Sequence, residues 1–114
     1  MNKGVLYKSE RDPLAGHSKE SMEILLRKKL SGRVLHAWTF GSINTNLLSN
    51  DSDIDLILVK ETRTPFTLRS REFFDLLNIT RMDILVYTPK ELDEQLESNI
   101  GFWKSVKESM KQIL

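Results

Sequence analysis

Residues 53–59, Asp-Ile-Asp-Leu-Ile-Leu-Val, constrain the fold more tightly than any other stretch of the chain. Side chains alternate across a strand, so Ile54, Leu56 and Leu58 point one way while Asp53, Asp55, Ile57 and Val59 point the other. Arg33 to Phe40 reads as a strand before it, and Arg81 to Tyr87 as a third strand after it. Ser18 is placed to cap a first helix in which Met22, Leu25, Leu26 and Leu30 recur at helical spacing, ended by Ser31-Gly32. A second helix is expected over 66–78, with Pro65 suited to its first turn and Phe73, Leu76 and Leu77 on one stripe. Thr88-Pro89-Lys90-Glu91 is a strong helix start, with Thr at N-cap, Pro at N1 and Glu at N3. Gly101 is expected to separate that helix from a last one, on which Phe102, Val106, Met110 and Ile113 form an apolar stripe. The order helix–strand–strand–helix–strand–helix–helix implies an α/β or α+β domain, a small mixed sheet backed by helices.

At 114 residues the chain has room for one core and no separate substrate domain. Residues 1–17 hold Gly4, Pro13 and Gly16 with no clear period and read as an N-terminal arm, leaving 18–114 as the domain. Seventeen basic against sixteen acidic residues leave a net charge of +1, which gives no electrostatic argument for a nucleic-acid partner. No apolar run approaches the roughly 18 residues of a membrane span, and the first residues lack the apolar stretch of a secretory signal. Cysteine is absent, so disulfides and thiolate metal sites are excluded; a cytoplasmic protein fits.

The chemistry is concentrated where one strand ends and the next begins. A strand stops at Phe40, and Gly41-Ser42 opens a turn whose glycine lets the backbone approach a ligand closely. Exposed N–H groups beside a serine hydroxyl suit phosphate oxygens. Ten residues later Asp53 and Asp55 leave the same face of a strand, and paired carboxylates are hard oxygen ligands of the kind Mg²⁺ takes together with phosphates. Any one of these features alone is commonplace, since Asp-x-Asp at a strand mouth is usually a solvated turn. The conjunction is not, and Asp83 adds to it by interrupting the apolar strand Met82, Ile84, Leu85, Val86. The plain alternative is that Asp83 pairs with Arg81 or Lys60 at a sheet edge. His17 and His36 are the only histidines, and neither reads as a catalytic base.

Gly41-Ser42, ten residues, Asp53-x-Asp55 and a later Asp83 resemble the pattern of the nucleotidyltransferase superfamily related to DNA polymerase beta, in its minimal bacterial and archaeal form. The resemblance runs over residues 18–114. It implies a metal-dependent transferase that moves a nucleoside monophosphate, AMP from ATP being the expected case, to a protein or small-molecule hydroxyl with release of pyrophosphate. It implies two Mg²⁺ ions held by Asp53, Asp55 and Asp83, with Gly41 and Ser42 binding the β- and γ-phosphates. Many stand-alone members resemble antitoxins that modify a tyrosine of a HEPN-domain ribonuclease toxin. The sequence departs from the family at two places. Where many members carry Arg and Gly after Gly-Ser, this chain has Thr45 and Asn46. Asn tolerates the left-handed conformation, so Asn46 is expected to keep the loop shape, whereas Thr45 cannot replace a guanidinium as a phosphate clamp.

Other Asp-x-Asp enzymes fit less well. Haloacid-dehalogenase-type phosphatases place the apolar strand before the motif, and here Leu56 to Val59 follow it. Glycosyltransferases with this motif need a larger nucleotide-sugar domain. The competing role is a binding module that keeps the fold, has weak catalysis and neutralises a partner by contact. Modification of a small molecule would call for an added acceptor surface, which a homo-oligomer could supply.

Overall fold

The computed structural model describes residues 11–114. A four-stranded mixed sheet in the order β3-β2-β1-β4 forms the middle layer of an α+β fold. β1 is His36–Phe40, β2 Ile54–Val59, β3 Met82–Tyr87 and β4 Lys111–Gln112. β1 runs antiparallel to β2 and to β4, whereas β2 and β3 are parallel. β2 carries apolar side chains on both faces because both are covered. Ile54, Leu56 and Leu58 join Met22, Leu26, Phe73 and Leu76 in one core; Ile57 and Val59 join Phe40, Leu92, Trp103 and Val106 in a second.

Helix α1, Lys19–Leu30, covers the first face, and its cap is as expected, with the Ser21 N–H donating to Ser18 Oγ at 3.0 Å. The other face is covered by α3, Pro89–Leu96, and α4, Gly101–Ser109. α3 opens with a reciprocal capping box between Thr88 and Glu91.

The segment 66–78 departs from a continuous α-helix. Only Phe66–Arg69 is α-helical (α2), and Ser70–Asn78 continues as a 3₁₀ stretch broken at Phe73. Pro65 sits at the N-cap rather than inside the first turn. A three-residue turn stacks i with i+3, so Phe73 and Leu76 are both fully buried while Leu77, expected on the same stripe, is 41 % exposed. The last helix also ends earlier than its stripe suggested. α4 stops at Ser109 and the chain turns into β4, so Ile113 reaches the α1-side core as part of an extended segment, its N–H donating to the Ala37 carbonyl at 2.8 Å. α1 holds this final strand in place. Arg27 Nε donates to the Ile113 carbonyl at 2.6 Å, and Lys111 Nζ lies 2.9 Å from the buried Glu23 carboxylate. Within 11–17, expected as part of a loose arm, Pro13 is buried and Leu14 packs against the core. The remainder of that arm, 1–10, lies outside the described residues.

Candidate active site

Parallel pairing of β2 with β3 brings two of the three acidic residues together. Asp55 and Asp83 are direct partners in the ladder and share the α3/α4 face of the sheet. Like charges set directly opposite one another on a sheet face repel. Burial, reinforced by the charges of Asp83 and Asp53 and by a hydrogen bond with Asp83, pushes the Asp55 carboxyl up to about 6. Asp83 lies near the start of β3 and is exposed, so it escapes the burial cost that its apolar neighbours suggested. The sheet-edge alternative does not hold either, because Arg81 bonds Asp53 Oδ1 at 2.8 Å and Lys60 pairs with Glu72 at 2.8 Å.

Asp53 occupies the position just before β2, with the same parity as Asp55. Its carboxylate is engaged by Arg81, whose Nη2 also donates to the Asp51 carbonyl at 3.0 Å. Among the described residues no three acidic or histidine side chains converge as a ready-made metal cage. The donor chemistry still fits a divalent cation at Asp55 and Asp83. Two hard carboxylates, one already driven toward protonation by burial and by its acidic neighbours, would be relieved by a cation placed between them. Asp53 would join them by giving up its contact with Arg81.

Gly41 is built into the same centre. It opens a 3₁₀ turn, Gly41–Asn44, directly after β1, and its φ is +77°. A Cβ at this position would run into Asp55 Oδ2. Gly41→Ala is therefore expected to cost only about 1–2 kcal/mol of stability, the penalty of a left-handed alanine, because the obstructing atom ends a movable side chain. Displacement of the Asp55 carboxylate should nevertheless abolish metal-dependent nucleotide binding. Thermal melts with and without Mg²⁺-ATP separate the two effects, and an unimpaired ligand response would disprove the coupling.

The Gly41 N–H, expected to face phosphate, donates to Ser109 Oγ at 2.8 Å. Asn44 completes the tie to the end of α4, donating to the Ser109 carbonyl at 2.7 Å and to the Thr39 carbonyl at 3.1 Å. Neither contact with Ser109 was visible in the sequence, since 65 or more residues separate the partners. Between the turn and α4 lies an open cleft of about 350 Å³, walled by Ser42, Thr45, Leu47, Ser105 and Glu108, with no cationic side chain among the described residues that line it. Thr45 turns its hydroxyl back to the Ser42 carbonyl at 3.2 Å. Asn46 does not adopt the expected left-handed conformation, since Ala15 is the only described non-glycine residue with positive φ. The Thr45 hydroxyl instead shapes the loop by accepting from the Leu47 N–H at 3.0 Å. His36 stands apart, at the far end of β1 beside Gln112, and His17 bonds Ser21.

Fold and centre together define an α+β domain with a cation-demanding carboxylate pair next to a glycine-opened turn. The sequence matches the family described as Nucleotidyltransferase domain over residues 19–113, most of its length, and the chain belongs to that family as a minimal member. Comparison with curated proteins found no match, and comparison with solved structures found none.

Proposed function

We propose that this domain transfers a nucleoside monophosphate, AMP from ATP, to a hydroxyl group. The in-register pair Asp55–Asp83 beside Gly41-Ser42 carries the reading, because it combines a demand for a cation with a turn fit for phosphate. An acceptor oxygen attacks the α-phosphorus, the bond to the β-phosphate oxygen breaks, and pyrophosphate leaves. Asp55 and Asp83, joined by Asp53, would hold two Mg²⁺ ions, which when bound supply charge stabilisation at the attacking and leaving oxygens. Ser42 donates its hydroxyl to the β- and γ-phosphates. The Gly41 N–H does the same by exchanging its Ser109 partner for a phosphate oxygen. Asp83, the most exposed of the carboxylates by its place at the start of β3, takes up the acceptor proton.

The acceptor we favour is a protein, a HEPN-type toxin, with this domain as its antitoxin. The reading follows the resemblance to minimal nucleotidyltransferases, many of which resemble antitoxins of such toxins. The described chain has no helix long and apolar enough to cross a membrane, and an intracellular setting, the cytoplasm, agrees with ATP as donor. The second reading is a binding module with weak catalysis. It is favoured by a specific observation: among the described residues, the cleft beside Ser42 presents Glu108 and no guanidinium. The deciding experiment is pyrophosphate release from ATP, with and without Mg²⁺ and a HEPN-domain partner. Release that requires both is expected. Partner neutralisation with no release at any Mg²⁺ concentration would overturn the enzymatic reading in favour of the binding module.

A further inference from the structure

Arg11 stands ahead of the family-matched residues 19–113, yet its guanidinium reaches the loop that leads into Asp53. Nη1 donates to the carbonyl oxygens of Asn50 at 2.8 Å and Ser52 at 2.7 Å, so it grips the peptide units that lead directly into Asp53. The same short segment is tied to the start of β3. Thr80 Oγ1 donates to the Pro13 carbonyl at 3.0 Å and receives a long contact, 3.5 Å, from Arg11 Nη2. Pro13 is buried and Leu14 packs on the core, so the guanidinium is presented from an anchored base rather than a free end. Residues 11–14 thus bridge the approaches to both parallel strands, the one that brings Asp53 and Asp55 and the one that brings Asp83. A single nitrogen, Nη1, holds both carbonyls, and the rigid guanidinium plane fixes the directions of its two N–H bonds.

We propose that Arg11 is a positioning residue of the nucleotidyl-transfer site. From outside the family-matched segment it fixes the loop that delivers Asp53, so that the carboxylates meet a divalent cation at a set spacing. This rests on the carboxylate site proposed above, and the test separates the two. Mn²⁺ binding to the full chain is followed by electron paramagnetic resonance, well below the melting temperature, for wild type, Asp55→Asn, Arg11→Gln and Arg11→Lys. Outer-shell partners of metal ligands are typically worth 10- to 100-fold in affinity, and Arg11→Gln is expected at the low end, roughly 10-fold weaker. Arg11→Lys should be intermediate, because an ammonium can donate to both carbonyls but lacks the fixed guanidinium plane and the second nitrogen that contacts Thr80. Modest global destabilisation would leave the folded population near unity at this temperature and the affinity unchanged, so the binding constant reports local geometry. Affinity within twofold of wild type in Arg11→Gln overturns the proposal. Should that variant fail to fold, Arg11→Lys decides, since it keeps the charge and stem, and wild-type affinity there overturns the positioning role of the guanidinium. Equal Mn²⁺ binding by wild type and Asp55→Asn would instead overturn the underlying site.

Discussion

Asp55→Ala should reduce nucleotidyl transfer to background, while Ser42→Ala should slow it by only about 10- to 150-fold. The difference follows from what each side chain does. In the proposed reaction Ser42 would give one hydroxyl to phosphate oxygens that the Gly41 backbone and bound cations would also hold. Its loss should cost about one hydrogen bond to a charged group, roughly 1.5–3 kcal/mol. Asp55 stands between Asp83 on β3 and Phe40 on β1 and touches the space that only a glycine at 41 leaves open. No neighbouring residue can take over its place, and the transition state loses its charge compensation when it goes. Single-turnover measurement of AMP transfer to the acceptor ranks the two variants. Equal and small losses would refute the assignment and leave the contact-neutralising module, whose partner inhibition should survive Asp55→Ala unchanged.

The second expected result concerns stability. Saturating Mg²⁺-ATP should raise the melting temperature of the wild type by on the order of 10 °C, because a ligand at about 100 times its dissociation constant contributes about 2.7 kcal/mol and a domain of this size gains a few degrees per kcal/mol. Asp55→Asn should lose most of that shift and, without ligand, should melt higher than wild type at neutral pH. The sign comes from proton linkage. Asp55 is pushed up to about 6 in the fold from an ordinary value of 3.8, so between these pH values the folded protein binds more protons than the unfolded chain. The Asp55 contribution to the stability of the ligand-free wild type therefore falls as pH rises through that window and stays lower above it. Because the carboxylate is about half exposed, solvent screening reduces the effect to about 1 kcal/mol. Asparagine has no proton to lose, so the variant lacks this contribution and should gain in melting temperature relative to wild type across the same window, while carboxylates held low, such as Glu91, affect both proteins alike. Melting curves between pH 4 and pH 8 check this, and parallel curves for the two proteins would show that Asp55 carries no such strain.

Much of the architecture was legible because it is written in local patterns. The two-sided alternation of β2 placed Ile54, Leu56 and Leu58 in one core and Ile57 and Val59 in the other, as period two requires. Caps at Ser18 and Thr88 are local hydrogen-bonding devices and were read from residue type and spacing alone. The glycine at 41 and the parity of Asp53 with Asp55 were equally local. By itself the sequence therefore determined α1, the three longer strands and their faces, the start of α3 and the family pattern.

Tertiary structure decided what depends on partners far along the chain. Periodicity carried the last helix through Ile113, whereas pairing with β1 and the grip of Glu23 and Arg27 from α1 turn those residues into a strand. Period likewise could not foresee the 3₁₀ stretch at 70–78, which exists because Phe73 and Leu76 must enter the same core together. At the site, only the parallel register of β2 and β3 sets Asp55 against Asp83, and only folding gives Asp53 to Arg81, the Gly41 N–H to Ser109, and the loop before Asp53 to Arg11. Side-chain type announces what a residue can bind, but the hydrogen-bond partner it finds is chosen by which distant backbone the fold brings within about 3 Å.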